Sequence, residues 1–94
     1  MNENKTLDIN EIFILAVKNH QQNKTDIAKN LYNQVLKINP NHIDAHNNLG
    51  IIFKNLGENE KAINCYQKAI SLNPNLVDAY NNLGIIFEQL GQNK

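Results

Sequence analysis

The chain has 94 residues, with nine Lys balanced by nine acidic residues, no Arg and a formal net charge of zero. So short a chain supports one small domain with a limited core. Neutrality denies it the basic footprint that nucleic acid or an anionic membrane surface requires, and without Arg there is no guanidinium fork to grip phosphate or carboxylate.

The first eight residues read as a polar leader, Met1-Asn2-Glu3-Asn4-Lys5 running into Thr6, Leu7 and Asp8 with no signal-peptide run. Asp8 and Glu11 have the spacing of a capping box, so a helix is expected to start between them. Residues 9–42 then form a first, degenerate helix pair, with Thr25 opening its second helix and Pro40 ending it. The apolar cluster from 12 to 17 is too short to span a membrane, and the composition predicts a soluble, cytoplasmic protein.

Residues 43–76 form the complete unit. Ala45, Leu49, Ile52 and Leu56, flanked by Gly50 and Phe53, step by four, three and four and so share one helical face. Gly57 is placed to end that helix in the left-handed region. Asn59 is expected to cap the next helix, whose apolar face is Ala62, Ile63, Tyr66, Ala69, Ile70 and Leu72. Pro74 closes it by pushing its predecessor out of the α region. Residues 77–94 repeat the first helix of this unit and stop at Lys94, near where its second helix would begin.

A shift of 34 residues lays the chain on itself. Residues 44–53 (DAHNNLGIIF) return as residues 78–87 (DAYNNLGIIF), Leu56-Gly57 returns as Leu90-Gly91, and residues 38–41 match residues 72–75. Self-similarity at such a period marks a stacked repeat architecture, in which each unit buries its apolar face on the next. Gly50 and Gly84 lie inside expected helices, where Gly costs about 1 kcal/mol against Ala. A close approach by a neighbouring helix is the physical reason to keep them, and Ala16 takes the same register in the first unit.

The middle unit carries His46, Leu49, Gly50, Phe53, Ala62, Tyr66 and Pro74, and the last carries Tyr80, Leu83, Gly84 and Phe87. The first keeps Ala28, Tyr32 and Pro40 but has Ile12, Leu15, Ala16 and Asn19 in its opening helix. This pattern resembles the tetratricopeptide repeat (TPR) family, with His46 the soft substitution. The resemblance implies an all-α, right-handed solenoid of antiparallel helix pairs, about two and a half units in five helices. It also implies a protein-binding scaffold and no enzyme.

Catalytic and metal patterns are weak. No ordered nucleophile–base set and no glycine-rich phosphate loop stand out, and no cofactor or metal is expected. His42 and His46 could share a helix face as a metal pair would, but His46 holds an aromatic packing position and His42 a helix start. His20 reads as a solvated residue near a helix end. Cys65, the single thiol, excludes an intramolecular disulfide. Lys61 and Lys68 could lower its pKa, though a half-buried structural thiol is the simpler reading.

In this family the first helix of each unit lines the concave face. Helical steps place Asp44, Asn48, Ile51 and Asn55 there, with Asn47 beside them. The last unit contributes Asp78, Asn82, Ile85 and Gln89, with Asn81 beside them. The first contributes Asn10, Ile14, Val17 and Gln21, with Phe13 alongside. The family's carboxylate clamp needs cations and Asn at positions that here hold Phe13, Val17, Asn48, Asp78 and Asn82. Only Asn48 fits, which excludes the clamp. The Asp44/Asn48 and Asp78/Asn82 pairs instead resemble the asparagine ladder of the O-linked N-acetylglucosamine transferases, which holds extended peptide. An Asn amide donates and accepts at once and so can pair with any peptide backbone. The chain contains nineteen Asn, most of them readable as solvated helix faces.

The expected partner is therefore a protein or peptide, with no nucleic acid and no membrane. Two other readings are open: the N-terminal repeat region of a larger enzyme such as a glycosyltransferase, and a homo-oligomerisation module that self-associates through the C-terminal helix. That helix copies an internal one without gaining a polar outer face.

Overall fold

The computed structural model describes residues 6–91, and among them there are five helices and no strand. They are α1 (Ile9–Gln21), α2 (Thr25–Ile38), α3 (Ile43–Asn55), α4 (Asn59–Leu72) and α5 (Val77–Gln89). The all-α expectation holds. Parts of the polar leader and Lys94 lie outside the described residues. The chain divides after Pro40 into two compact units.

In the first unit, α1 packs against α2. Asp8 and Glu11 form the expected capping box, each side chain accepting from the other's backbone N–H at 2.9 Å. Helix α1 ends in a Schellman motif: Asn23 N–H donates to the His20 carbonyl at 3.1 Å and Lys24 N–H to the Asn19 carbonyl at 2.9 Å. This requires a left-handed residue at Asn23, whose φ is +62°, and Asn tolerates that region better than other side chains. Ile12, Ala16, Ala28, Tyr32 and Val35 are buried. Phe13 and His20 both meet the Tyr32 ring, each with its centroid 5.9 Å away.

In the second unit α3 packs against α4, α4 against α5, and α3 also touches α5. His42 caps α3 through its side chain, Nδ1 accepting from Ala45 N–H at 3.1 Å. At the other end the Schellman motif recurs, with Gly57 N–H to the Lys54 carbonyl at 3.0 Å and Glu58 N–H to the Phe53 carbonyl at 2.9 Å. Gly57 takes φ +78° and Gly91, one repeat later, +70°. Asn59 is the first helical residue of α4 rather than its cap. The cap is Glu58, which makes no side-chain capping bond and instead pairs with Lys61 at 3.4 Å. Asn39 and Asn73 leave the helical region ahead of Pro40 and Pro74, as a following Pro demands.

One core cluster of this unit is Ala62 and Tyr66 of α4 with Ala79 and Ile86 of α5, flanked by Ile51, Phe53, Ile63, Ile70, Leu76 and Leu83, and Ala45, Leu49, Ile52 and Ala69 are buried as well. Leu56, expected in the stripe, is the C-cap residue and 48% exposed, because the helix turns away before its side chain can reach the core. Gly50 sits where the sequence requires a close approach: a Cβ there would fall 2.7 Å from Cε1 and 2.8 Å from Cζ of Tyr66. That ring is fully buried and has no room to retreat. At Gly84 a Cβ would meet nothing within 4 Å among the described residues.

The two core tyrosines differ in one respect. The Tyr32 hydroxyl lies 3.2 Å from Nδ1 of His20, whereas the buried Tyr66 hydroxyl has no hydrogen-bond partner among the described residues.

Two pairs of substitutions follow from this packing. Gly50→Ala should destabilise the protein by roughly 1–3 kcal/mol through overpacking, outweighing the helix propensity that Ala brings. Gly84→Ala should stabilise it by up to about 1 kcal/mol, since only propensity changes. Chemical denaturation checks both signs. By the same measurement Tyr32→Phe should cost about 1 kcal/mol, and Tyr66→Phe should be neutral or stabilising by up to about 1 kcal/mol, because it removes an unpaired buried hydroxyl.

Candidate functional site

The residues picked out by helical spacing fall into two separate places. On α1, Phe13, Ile14, Val17 and Gln21 line a shallow depression together with Lys18. Its floor is apolar, and Ile14 is 64% exposed. Asn10 is exposed nearby in sequence but does not line the depression. An apolar floor with a cation and an amide at one end suits an aliphatic side chain better than a polar backbone.

The second place is the outward face of α3 and α5. On α3, Asp44 and Asn55 are exposed, Asn47 and Asn48 are half-buried, and Ile51 packs on the core cluster. On α5, Asp78, Asn81 and Gln89 are exposed, Asn82 is half-buried and Ile85 is 41% exposed. Asn48 and Asn82 thus share one degree of burial, each with an exposed Asp one turn before it.

Lys54 is the residue that sequence spacing passed over. Its Nζ donates to Oδ1 of Asn82 at 3.3 Å, linking α3 to α5 across this face. An ammonium has donors only, so it fixes the amide with its oxygen toward α3 and leaves Nδ2 as the donor. The signal was present: Lys54 is three residues after Ile51 and seven after Asn47, hence on the same side of the helix. Asn47 adds a second polar feature, a buried Oδ1 with no hydrogen-bond partner among the described residues.

The titratable groups elsewhere are set by burial. Desolvation raises the Cys65 thiol to about 11, so the flanking lysines do not activate it and it stays protonated at neutral pH. Tyr66 is pushed above its usual range, first by burial and then by the adjacent Cys65. His20 is half-buried against Tyr32 rather than solvated, and burial lowers its pKa from 6.5. Among the described residues no three His, Cys, Asp or Glu side chains converge as metal ligands would, and His42 already uses Nδ1 as a helix cap.

The His20 shift has a defined sign. The fold favours the neutral ring, so its contribution to stability is complete above 6.5 and is lost as pH falls below that value through the lowered folded pKa. Between pH 7 and pH 5 the wild-type denaturation midpoint should therefore fall further than that of His20→Gln. Parallel curves would show that the ring is not desolvated.

Comparison with known proteins agrees with the fold. A TPR repeat model matches residues 52–91, and tetratricopeptide repeat models match residues 31–64 and 15–42. No curated protein matches the chain. Among solved structures, a crystal structure of MamA aligns with a TM-score of 0.88 at 28% identity, covering 94% of this chain and 52% of that one. A second MamA structure aligns with a TM-score of 0.85 at 28% identity, covering 90% and 46%. The chain thus spans about half the length of the solved structures it matches. With repeat matches running from residue 15 to residue 91 and a shared fold over nearly the whole chain, the protein belongs to the tetratricopeptide repeat family.

Proposed function

We propose that this chain is a non-catalytic interaction scaffold that holds an extended segment of a partner protein on the outward face of α3 and α5. The repeat family supports the scaffold role in general. The single observation that carries the finer reading is the recurrence of Asn48 and Asn82 at one register on two touching helices, with Asn82 held by Lys54. Each amide offers a donor and an acceptor, the pair of groups that an extended backbone presents. Packed helices lie about 8–10 Å apart, close to three residues of extended chain at ~3.3 Å each. Successive asparagines therefore meet peptide groups about three residues apart. Ile51 and Ile85 provide apolar ground beside them, and Asp44 and Asp78 tune the edge toward uncharged or basic segments.

Two rungs make few contacts, so binding is weak. A dissociation constant between micromolar and millimolar, about −8 to −4 kcal/mol, is expected. A bead-displayed library of 15-residue peptides supplies the ligand, and the best binder is then titrated into isotope-labelled chain. Shifts should map to the outward positions of α3 and α5. Asn48→Ala combined with Asn82→Ala should weaken binding at least tenfold while leaving the melting temperature nearly unchanged. Shifts confined to α2 and α4 would move the binding face elsewhere.

A further inference from the structure

The repeat presents the same pair of positions twice and satisfies them only once. A shift of 34 residues carries His20 to Lys54 and Tyr32 to Tyr66. Both tyrosines are fully buried. In the first unit Nδ1 of His20 stands 3.2 Å from the Tyr32 hydroxyl. In the second unit the residue at the His20 register is engaged elsewhere. Lys54 Nζ donates to Oδ1 of Asn82 at 3.3 Å, and the Tyr66 hydroxyl is left without a partner among the described residues.

A buried polar atom with no partner is rare enough to need a reason. Ring packing does not supply one, because Cδ1, Cε1 and Cζ make the approach to Gly50 and the hydroxyl oxygen takes no part in it. A Phe would pack there as well. The register names the missing partner. Lys54 follows Gly50 by four residues and so shares the side of α3 on which the Tyr66 ring rests. Its flexible four-carbon stem ends in three donors and no acceptor. Asn82, for its part, needs both halves of its amide to pair with an extended backbone, and in the free protein Lys54 occupies the acceptor half.

We propose that Lys54 is a latch with two seats: Oδ1 of Asn82 in the free protein, and the Tyr66 hydroxyl once a partner segment takes Asn82. This rests on the Asn48/Asn82 face proposed above and specifies how that face opens. Uncovering Oδ1 is then an exchange of one acceptor for another, so little binding energy is spent on it. The Tyr66 hydroxyl, orphaned in the free state, gains its donor in the bound one.

The second seat is tested without any ligand. Asn82→Ala removes the first seat, so Lys54 should settle on Tyr66. In that background Tyr66→Phe should lower the denaturation midpoint, whereas in the wild type it leaves the midpoint level or raises it. Adding Lys54→Met to the Asn82→Ala background should cancel the effect. Equal behaviour of Tyr66→Phe in both backgrounds overturns the proposal. The trigger is tested with the best binder from the peptide library. Tyr66→Phe should weaken its binding roughly three- to tenfold, the worth of one hydrogen bond. Lys54→Met added to Tyr66→Phe should restore the affinity, because a chain without the ammonium needs neither seat. Weakening that Lys54→Met does not relieve would make the hydroxyl a purely structural group and overturn the latch. Peptides that bind the wild type and Tyr66→Phe alike overturn the latch and spare the asparagine face, while a library with no binder overturns both.

Discussion

The ring of Tyr66 pressed on the backbone at Gly50 is the contact on which the second unit depends. A fully buried aromatic contributes more apolar area than any other side chain here, and it can approach α3 so closely only because Gly50 lacks a Cβ. The same ring belongs to the cluster with Ala79 and Ile86, so one side chain of α4 engages both α3 and α5. Ala62 and Ala69 keep the rest of the α4 surface small enough for those helices to close on it. The arrangement accepts an unpaired phenolic hydroxyl inside the core, which burial of the ring outweighs.

That packing decides what is left for partners. With the apolar stripes of α3 and α5 turned toward Tyr66, the positions one step around each helix face outward, and these are the Asp and Asn residues. Lys54 then connects the two helices on that side by donating to Asn82. A single part-buried hydrogen bond of this kind contributes modestly to stability. Its larger effect is to choose the orientation of an amide that would otherwise flip. The face is thus polar, ordered at Asn82 and flanked by exposed carboxylates.

The first unit meets the same geometric demands with different residues. Where the second unit has Asn47, Lys54 and Tyr66, the first has Phe13, His20 and Tyr32, and these three make ring contacts. The polar residue at position 54 is replaced by an imidazole that reaches the Tyr32 hydroxyl, so the first core is satisfied where the second is not. Phe13 and Ile14 stand where the second unit has Asn47 and Asn48, which changes the surface of α1 from amide to apolar and gives it an apolar depression. Left-handed Asn23 shows the economy of the turn: the Schellman bonds form around it as they do around Gly57.

The sequence by itself determined the helices, their ends and their repeat. Apolar steps of three and four, a capping box at Asp8 and Glu11, left-handed glycine at Gly57 and prolines at Pro40 and Pro74 are all local, and local rules act before any packing exists. Gly50 could also be read as a close contact, because an interior helical Gly is costly without one. What tertiary structure alone decided was the identity of partners across helices. Spacing along α3 could not show that Lys54 reaches Asn82 or that Leu56 turns outward. Nor could it show that His20 is buried on Tyr32 or that Cys65 is governed by burial rather than by its lysines. Each of these depends on where a neighbouring helix places its side chains. Gly84 marks the boundary between the two kinds of knowledge. Its sequence context is that of Gly50, and only the structure shows that a ring fills the space at Gly50 while no described residue stands within 4 Å of a Cβ at Gly84.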